Sequence, residues 1–128
     1  MNNLNLDNFK LYLKSRDLSR MAWSIYSVLP REFKFSMGMQ FLESADSVLA
    51  NISEGYGRFH YKDKMKFFIN ARGSLYETTT WSRLVLERNL AEEKKALEFQ
   101  QLANEISAMI NAYLRFLKSK AGNKPEFP

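Results

Sequence analysis

The chain has 128 residues, 45% of them hydrophobic and 26% charged, which suits one globular domain and excludes a disordered chain. No cysteine and a single histidine remove disulfide frameworks, thiolate nucleophiles, Cys-based zinc sites and most His-based metal sites. Nineteen Lys and Arg against fourteen Asp and Glu leave a formal charge of +5, which points toward an anionic partner.

No run reaches the ~18 consecutive apolar residues of a membrane span. The opening residues MNNLNLDNF lack a basic region followed by an apolar stretch, so they do not read as a signal peptide. The expectation is a soluble, cytoplasmic protein with no membrane partner.

Helical periodicity recurs in four segments. The first begins near Asn8, with Asp7 as its N-cap, and runs to Leu29, where Pro30 stops it. Leu11, Leu18, Ala22, Ile25 and Leu29 draw one apolar face. Residues 30–35 read as a linker. The second segment runs from Ser36 to Gly55 with the stripe Met37, Phe41, Ala45, Val48 and Ile52, and Gly55 and Gly57 read as C-cap and turn glycines.

The third segment starts between Tyr61 and Asp63 and ends near Arg88. Its seam is Phe67, Ala71, Ser74, Thr78, Trp81 and Val85, flanked by a parallel stripe of Phe68, Leu75, Thr79, Ser82 and Leu86. Small residues in mid-seam permit close helix approach, so this reads as the central helix. Asn89 with Glu92 reads as a capping box opening the fourth segment, which runs to Lys120. Phe99, Leu102, Ile106, Met109, Tyr113 and Phe116 form its seam, widened by Ala103, Ile110, Leu114 and Leu117. Long helices joined by short loops make antiparallel neighbours. The reading is all-α: an antiparallel up-down-up-down four-helix bundle, one domain over residues 1–120, with a flexible tail at 121–128 that frays.

The chemistry for catalysis is missing. Di-iron bundles need Glu-x-x-His on two helices, and the one histidine, His60, sits in a turn. Gly73-Ser74 falls in mid-helix rather than on a strand-to-helix elbow, and no phosphate-binding G-x-x-x-x-G-K-[ST] occurs. No enzyme, cofactor or metal is expected. Gly55-Tyr56-Gly57-Arg58-Phe59 has the look of an RRM aromatic motif, but that motif works on a strand, and here it joins two helices.

Polar residues embedded in helices two and three have a structural reading. Asn51, Glu54, Arg72, Ser74 and Glu77 lie among apolar positions, so Glu54 or Glu77 is expected to pair with Arg72 or Arg58. The basic residues are unevenly spread. Residues 1–35 and 61–89 each hold six basic against three acidic residues, whereas 36–60 hold one against three. Lys10 with Lys14, Arg16 with Arg20 and Lys62 with Lys66 share helix faces. Arg58, Lys62, Lys64 and Lys66 interleave with Phe59, His60 and Tyr61, a pattern that suits phosphate contact and base stacking as well as a solvated face. The abundance of aromatic and Met side chains for one small bundle points to self-association.

Gln40, Ala45, Ser47 and Val48, then Asn51-Ile52-Ser53-Glu54-Gly55 with Arg58, then Phe67-Phe68 and Ala71-Arg72-Gly73-Ser74-Leu75-Tyr76-Glu77, resemble a known signature. It is that of the bacterial four helix bundle protein family, also called 23S rRNA intervening-sequence proteins and once described as ribosomal-protein-like. Tyr26 and Pro30 resemble the family's first-helix exit, so the resemblance spans most of the chain. It implies a ring-like homopentamer and kinship with the accessory variability proteins of diversity-generating retroelements, which bind nucleic acid and engage a reverse transcriptase. No activity is established for the family as a whole. Asn51, Glu54, Arg58, Arg72, Ser74 and Glu77 carry over as structural or interface groups. Leu42 and Glu43 stand where members commonly carry basic residues, and Asp46 replaces an apolar one.

The sequence therefore reads as a non-enzymatic, homo-oligomeric basic bundle that binds nucleic acid, structured RNA in particular. Arg16, Arg20, Arg58, Lys62, Lys64 and Lys66 are its expected contact surface. The alternative is a scaffold that docks a partner protein such as a reverse transcriptase.

Overall fold

The computed structural model describes residues 5–122, and they are helical nearly throughout. A 3-10 turn at Leu6–Asn8 leads into α1 (Lys10–Ser27), α2 (Arg31–Lys34), α3 (Met37–Tyr56), α4 (Tyr61–Glu87) and α5 (Glu93–Gly122). Among the described residues there is no strand, and no helix is long and apolar enough to cross a membrane.

Side-chain pairs fix how the long helices run. Across α1 and α3, Ser19 bonds Asp46 and Tyr26 reaches Met39, so the numbers move in opposite directions. The same opposition holds between α3 and α4, where Ser47 meets Ser74 and the Thr78 hydroxyl donates to the Phe41 carbonyl. It recurs between α1 and α5, where Lys14 meets Glu105 and Lys95 meets Ser24. Each adjacent pair of long helices is antiparallel, and the bundle closes in the order α1, α3, α4, α5.

The expected apolar faces of α1 and α3 are buried: Leu11, Leu18, Ala22, Ile25 and Leu29 meet Met37, Phe41, Ala45, Val48 and Ile52. On α4 the buried line runs between the two expected stripes, through Phe68, Ala71, Leu75, Thr78, Ser82 and Val85. On α5 it is Ala96, Phe99, Ala103, Ile106, Ile110, Leu114 and Leu117. The expected α5 seam is thus offset to one flank, and its last member, Phe116, is exposed with the Lys120 ammonium 5.6 Å from its ring centroid. Phe41, Phe68 and Phe99 are fully buried, each worth about 2–3 kcal/mol of hydrophobic transfer.

Several helix ends differ from expectation: α1 stops at Ser27 rather than Leu29, and four further differences have identifiable causes. Phe9, not Asp7, precedes α1, because its ring stacks on Tyr56 at 4.6 Å and packs near Tyr113 at 5.3 Å. Tertiary packing sets that helix start. The linker at 30–35 contains the one-turn α2, since the Pro30 carbonyl accepts from the Phe33 and Lys34 amides. Asn89 closes α4 rather than opening α5. It adopts φ 54°, its amide bonds the Leu86 carbonyl, and the Leu90 amide bonds that of Val85, which is a Schellman closure. Asn serves there because its short polar side chain tolerates the left-handed region.

Gly55 is the fourth difference: it lies inside α3, which continues to Tyr56, and it is buried against α4. At the far end, α5 extends to Gly122, and the rest of the tail expected to fray lies outside the described residues.

Candidate nucleic-acid interface

The antiparallel arrangement gathers four helix ends at one pole of the bundle: the start of α1, the end of α3, the start of α4 and the end of α5. Aromatic rings tie them together. Phe9 of α1's approach contacts Tyr56 of α3, and Phe68 of α4 lies 4.7 Å from Tyr113 of α5. Burial pushes the Tyr113 phenol above its ordinary range, and the neighbouring Tyr56 and Tyr61 add to the shift.

The turn between α3 and α4 is pinned from both sides. Lys64 reaches back from the first turn of α4, and its Nζ donates to the Tyr56 carbonyl at 2.8 Å and the Gly55 carbonyl at 3.4 Å. It lies 5.6 Å from the Tyr56 ring centroid. The last carbonyls of a helix carry partial negative charge, so an ammonium belongs there. Burial pulls the Lys64 amine below the ordinary lysine range. Arg58 is also engaged: it pairs with Glu54 at 2.8 Å and lies 4.6 Å from the Phe67 ring centroid.

Of the six basic residues expected to contact nucleic acid, Arg58, Lys62, Lys64 and Lys66 come together at this pole. Lys62 and Lys66 are exposed and four residues apart on α4. Arg16 sits midway along α1, 5.9 Å from the Tyr12 ring centroid. Arg20 lies beyond the middle of α1 and pairs with Asp17 at 3.0 Å. Within the cluster, Lys64 is half-buried against the helix end, whereas Lys62 and Lys66 face solvent.

The polar residues of α3 and α4 form two separate sets. Asn51 Nδ2 donates to the Ser47 carbonyl at 2.9 Å, and the Ser47 and Ser74 hydroxyls meet at 2.9 Å across the helix pair. Arg72 donates to Asn111 Oδ1 at 3.0 Å, joining α4 to α5. Glu54 and Glu77 are exposed, and Glu77 accepts from the Trp81 indole at 3.1 Å rather than pairing with Arg72. The expected pairing of Glu54 with Arg58 is present, but on the surface and within one helix turn. Among the described residues, no three His, Asp or Glu side chains gather in a metal-holding group.

Topology adds basic residues that spacing along the chain does not connect. Lys10 opens α1, and Arg115, Lys118 and Lys120 close α5, all exposed at the same pole. The described residues can be divided midway along each long helix, with Glu105 counted beside its partner Lys14. The half holding the α3–α4 turn then has eleven Lys and Arg against five Asp and Glu, and the opposite half seven against eight. The first half is +6 and the second −1. Over the ~8 Å screening length of physiological salt, a partner at one pole experiences mainly that pole's charge.

Fold and charge together define a helical-bundle protein with one strongly basic pole. The chain belongs to the 23S rRNA-intervening sequence protein family, whose model matches residues 7–112. It is similar to the crystal structure of a protein of unknown function from the S23 ribosomal protein family of Bacteroides thetaiotaomicron, with a TM-score of 0.76 and 21% identity. That match covers 81% of this chain and 97% of the other and shows a shared fold. No curated protein matches the chain.

Proposed function

We propose that this protein is a non-enzymatic bundle that binds structured RNA or another nucleic acid through phosphate contacts at its basic pole. The observation that carries this reading is the division of charge, +6 in the half around the α3–α4 turn against −1 in the other. Ammonium groups on rigid helices displace condensed counterions from a phosphate backbone, and that release drives binding. The side chains that contribute are those the fold leaves exposed there, Lys62 and Lys66 foremost.

Self-association belongs to the same reading. At the opposite pole Trp23 and Phe35 are 60% and 73% exposed, and Trp23 stacks on Tyr26, whose hydroxyl reaches Met39. These residues supply an apolar surface through which copies associate, in the homopentamer that the family resemblance implies, and several copies multiply the basic field. The same surface favours the second reading, in which a partner protein such as a reverse transcriptase docks there. Light scattering on the purified chain, with a check for co-eluting nucleic acid, separates the two. An oligomer carrying RNA supports the first reading; a monomer that holds no RNA contradicts it.

A further inference from the structure

Phe59 is 87% exposed, more than any other exposed large apolar side chain among the described residues. It stands in the turn between α3 and α4, directly after Arg58 and three residues before Lys62. An isolated exposed ring is common on protein surfaces, but this one is displayed on a braced turn. The Lys64 ammonium holds the Gly55 and Tyr56 carbonyls on one side. On the other, the Gly57 amide bonds the Ser53 carbonyl, the Arg58 amide bonds that of Gly55, and the Arg58 guanidinium covers Phe67. The Phe59 ring meets His60 edge-on, with the centroids 5.1 Å apart. A braced turn loses little backbone freedom on binding, so contact with the ring is not offset by ordering.

We infer that Phe59 is a stacking platform for an unpaired nucleobase whose flanking phosphates are held by Lys62 and Lys66. This rests on the phosphate-binding reading above and specifies its ligand: a looped or single-stranded segment rather than a continuous duplex. A base inside a duplex has both faces covered by its neighbours, so a side chain stacks on it only where pairing is interrupted. Phosphate contact alone does not select for unpaired bases, because single strands and duplexes both present phosphates. The ring adds the discrimination and the lysines add the affinity.

The test is binding of the full-length chain to three labelled probes at low salt: a single-stranded RNA, the DNA of the same sequence, and a fully paired RNA duplex of equal length. Phe59→Ala is expected to weaken binding to both single strands by roughly tenfold or more, the size of one base–aromatic stack, and to leave duplex binding unchanged. Phe59→Trp restores single-strand affinity. Replacing Lys62 and Lys66 by Gln weakens all three probes. Equal effects of Phe59→Ala on single strand and duplex, or no effect on either, overturn the stacking assignment while the phosphate reading stands. Absence of binding by the unsubstituted chain to every probe overturns both. Since Phe59 is so exposed, its Ala variant keeps the melting temperature of the parent, which shows that lost binding is not lost folding.

Discussion

Gly55 of α3 sits against the Phe68 ring of α4 so closely that a Cβ at position 55 would stand 2.9 Å from Phe68 Cε2 and 3.0 Å from Phe67 Cβ. This contact brings the end of α3 and the start of α4 together, and the basic turn between them depends on it. Phe68 is fully buried and cannot swing aside into solvent.

Gly55→Ala therefore destabilises the fold. Overpacking of a tight core costs about 1–3 kcal/mol, and the gain in helix propensity is ~1 kcal/mol, so a net loss of up to about 2 kcal/mol is expected in urea unfolding. Gly73 is the internal control. It lies in mid-α4, and a methyl group placed on its Cα would meet nothing within 4 Å, so Gly73→Ala gains about 0.5–1 kcal/mol.

Lys64 is expected to act on stability as well as on charge. Lys64→Met keeps most of the apolar stem but leaves the Tyr56 and Gly55 carbonyls without their ammonium donor. Burial of the ammonium offsets part of what its hydrogen bonds contribute, so the loss is at most about 1–2 kcal/mol. Lys66→Met, on an exposed side chain of the same helix, changes stability by less than about 0.5 kcal/mol. Thermal melts of the two variants separate the bracing lysine from the one that only presents charge.

The bundle's alkaline stability reports on Tyr113. Its folded pKa is raised above the ordinary 10.0, first by burial and then by Tyr56 and Tyr61. The folded state thus holds its proton longer than the unfolded state, so the contribution is complete below pH 10.0 and is lost as pH rises through the raised value. Lys64, lowered from 10.5 by burial, acts with the opposite sign, its contribution rising with pH from the lowered value up to 10.5. Comparison with Tyr113→Phe isolates the phenol: the late-titrating tyrosinate absorbance disappears, and stability declines less above pH 10.0 than in the parent.

How much of this is legible in the sequence depends on the range of the interaction involved. The faces of α1 and α3 are legible, because Leu11 to Leu29 and Met37 to Ile52 follow one helical period with bulky residues. The α5 face is legible in Phe99, Ala103, Ile106, Ile110, Leu114 and Leu117, but periodicity also counts Tyr113 and Phe116 as apolar although they lie at the rim. Asn89 fits both an N-cap and a left-handed C-terminal residue, and only the Val85 and Leu86 carbonyls decide between them. Arg58 to Lys66 is legible as a basic cluster because those residues lie close together in the chain. Lys10, Lys118 and Lys120 join it only through the antiparallel fold. The Lys64 bond to the end of α3 and the Arg72 bond to Asn111, 39 residues away, depend on side-chain placement that no periodicity encodes.

Phosphate binding at the basic pole is tested most sharply by the salt dependence of RNA binding in three proteins. These are the parent, a Lys62→Gln/Lys66→Gln variant at the basic pole, and a Lys94→Gln/Lys95→Gln variant at the other. Each phosphate contact contributes roughly 0.7–0.9 to the slope of log affinity against log salt. The first variant is expected to bind more weakly, with a slope shallower by roughly 1.4–1.8 for two lost contacts. The second is expected to keep the parent's affinity and slope. An affinity that does not change with salt, or equal losses from the two double substitutions, would show that the basic pole is not the binding surface.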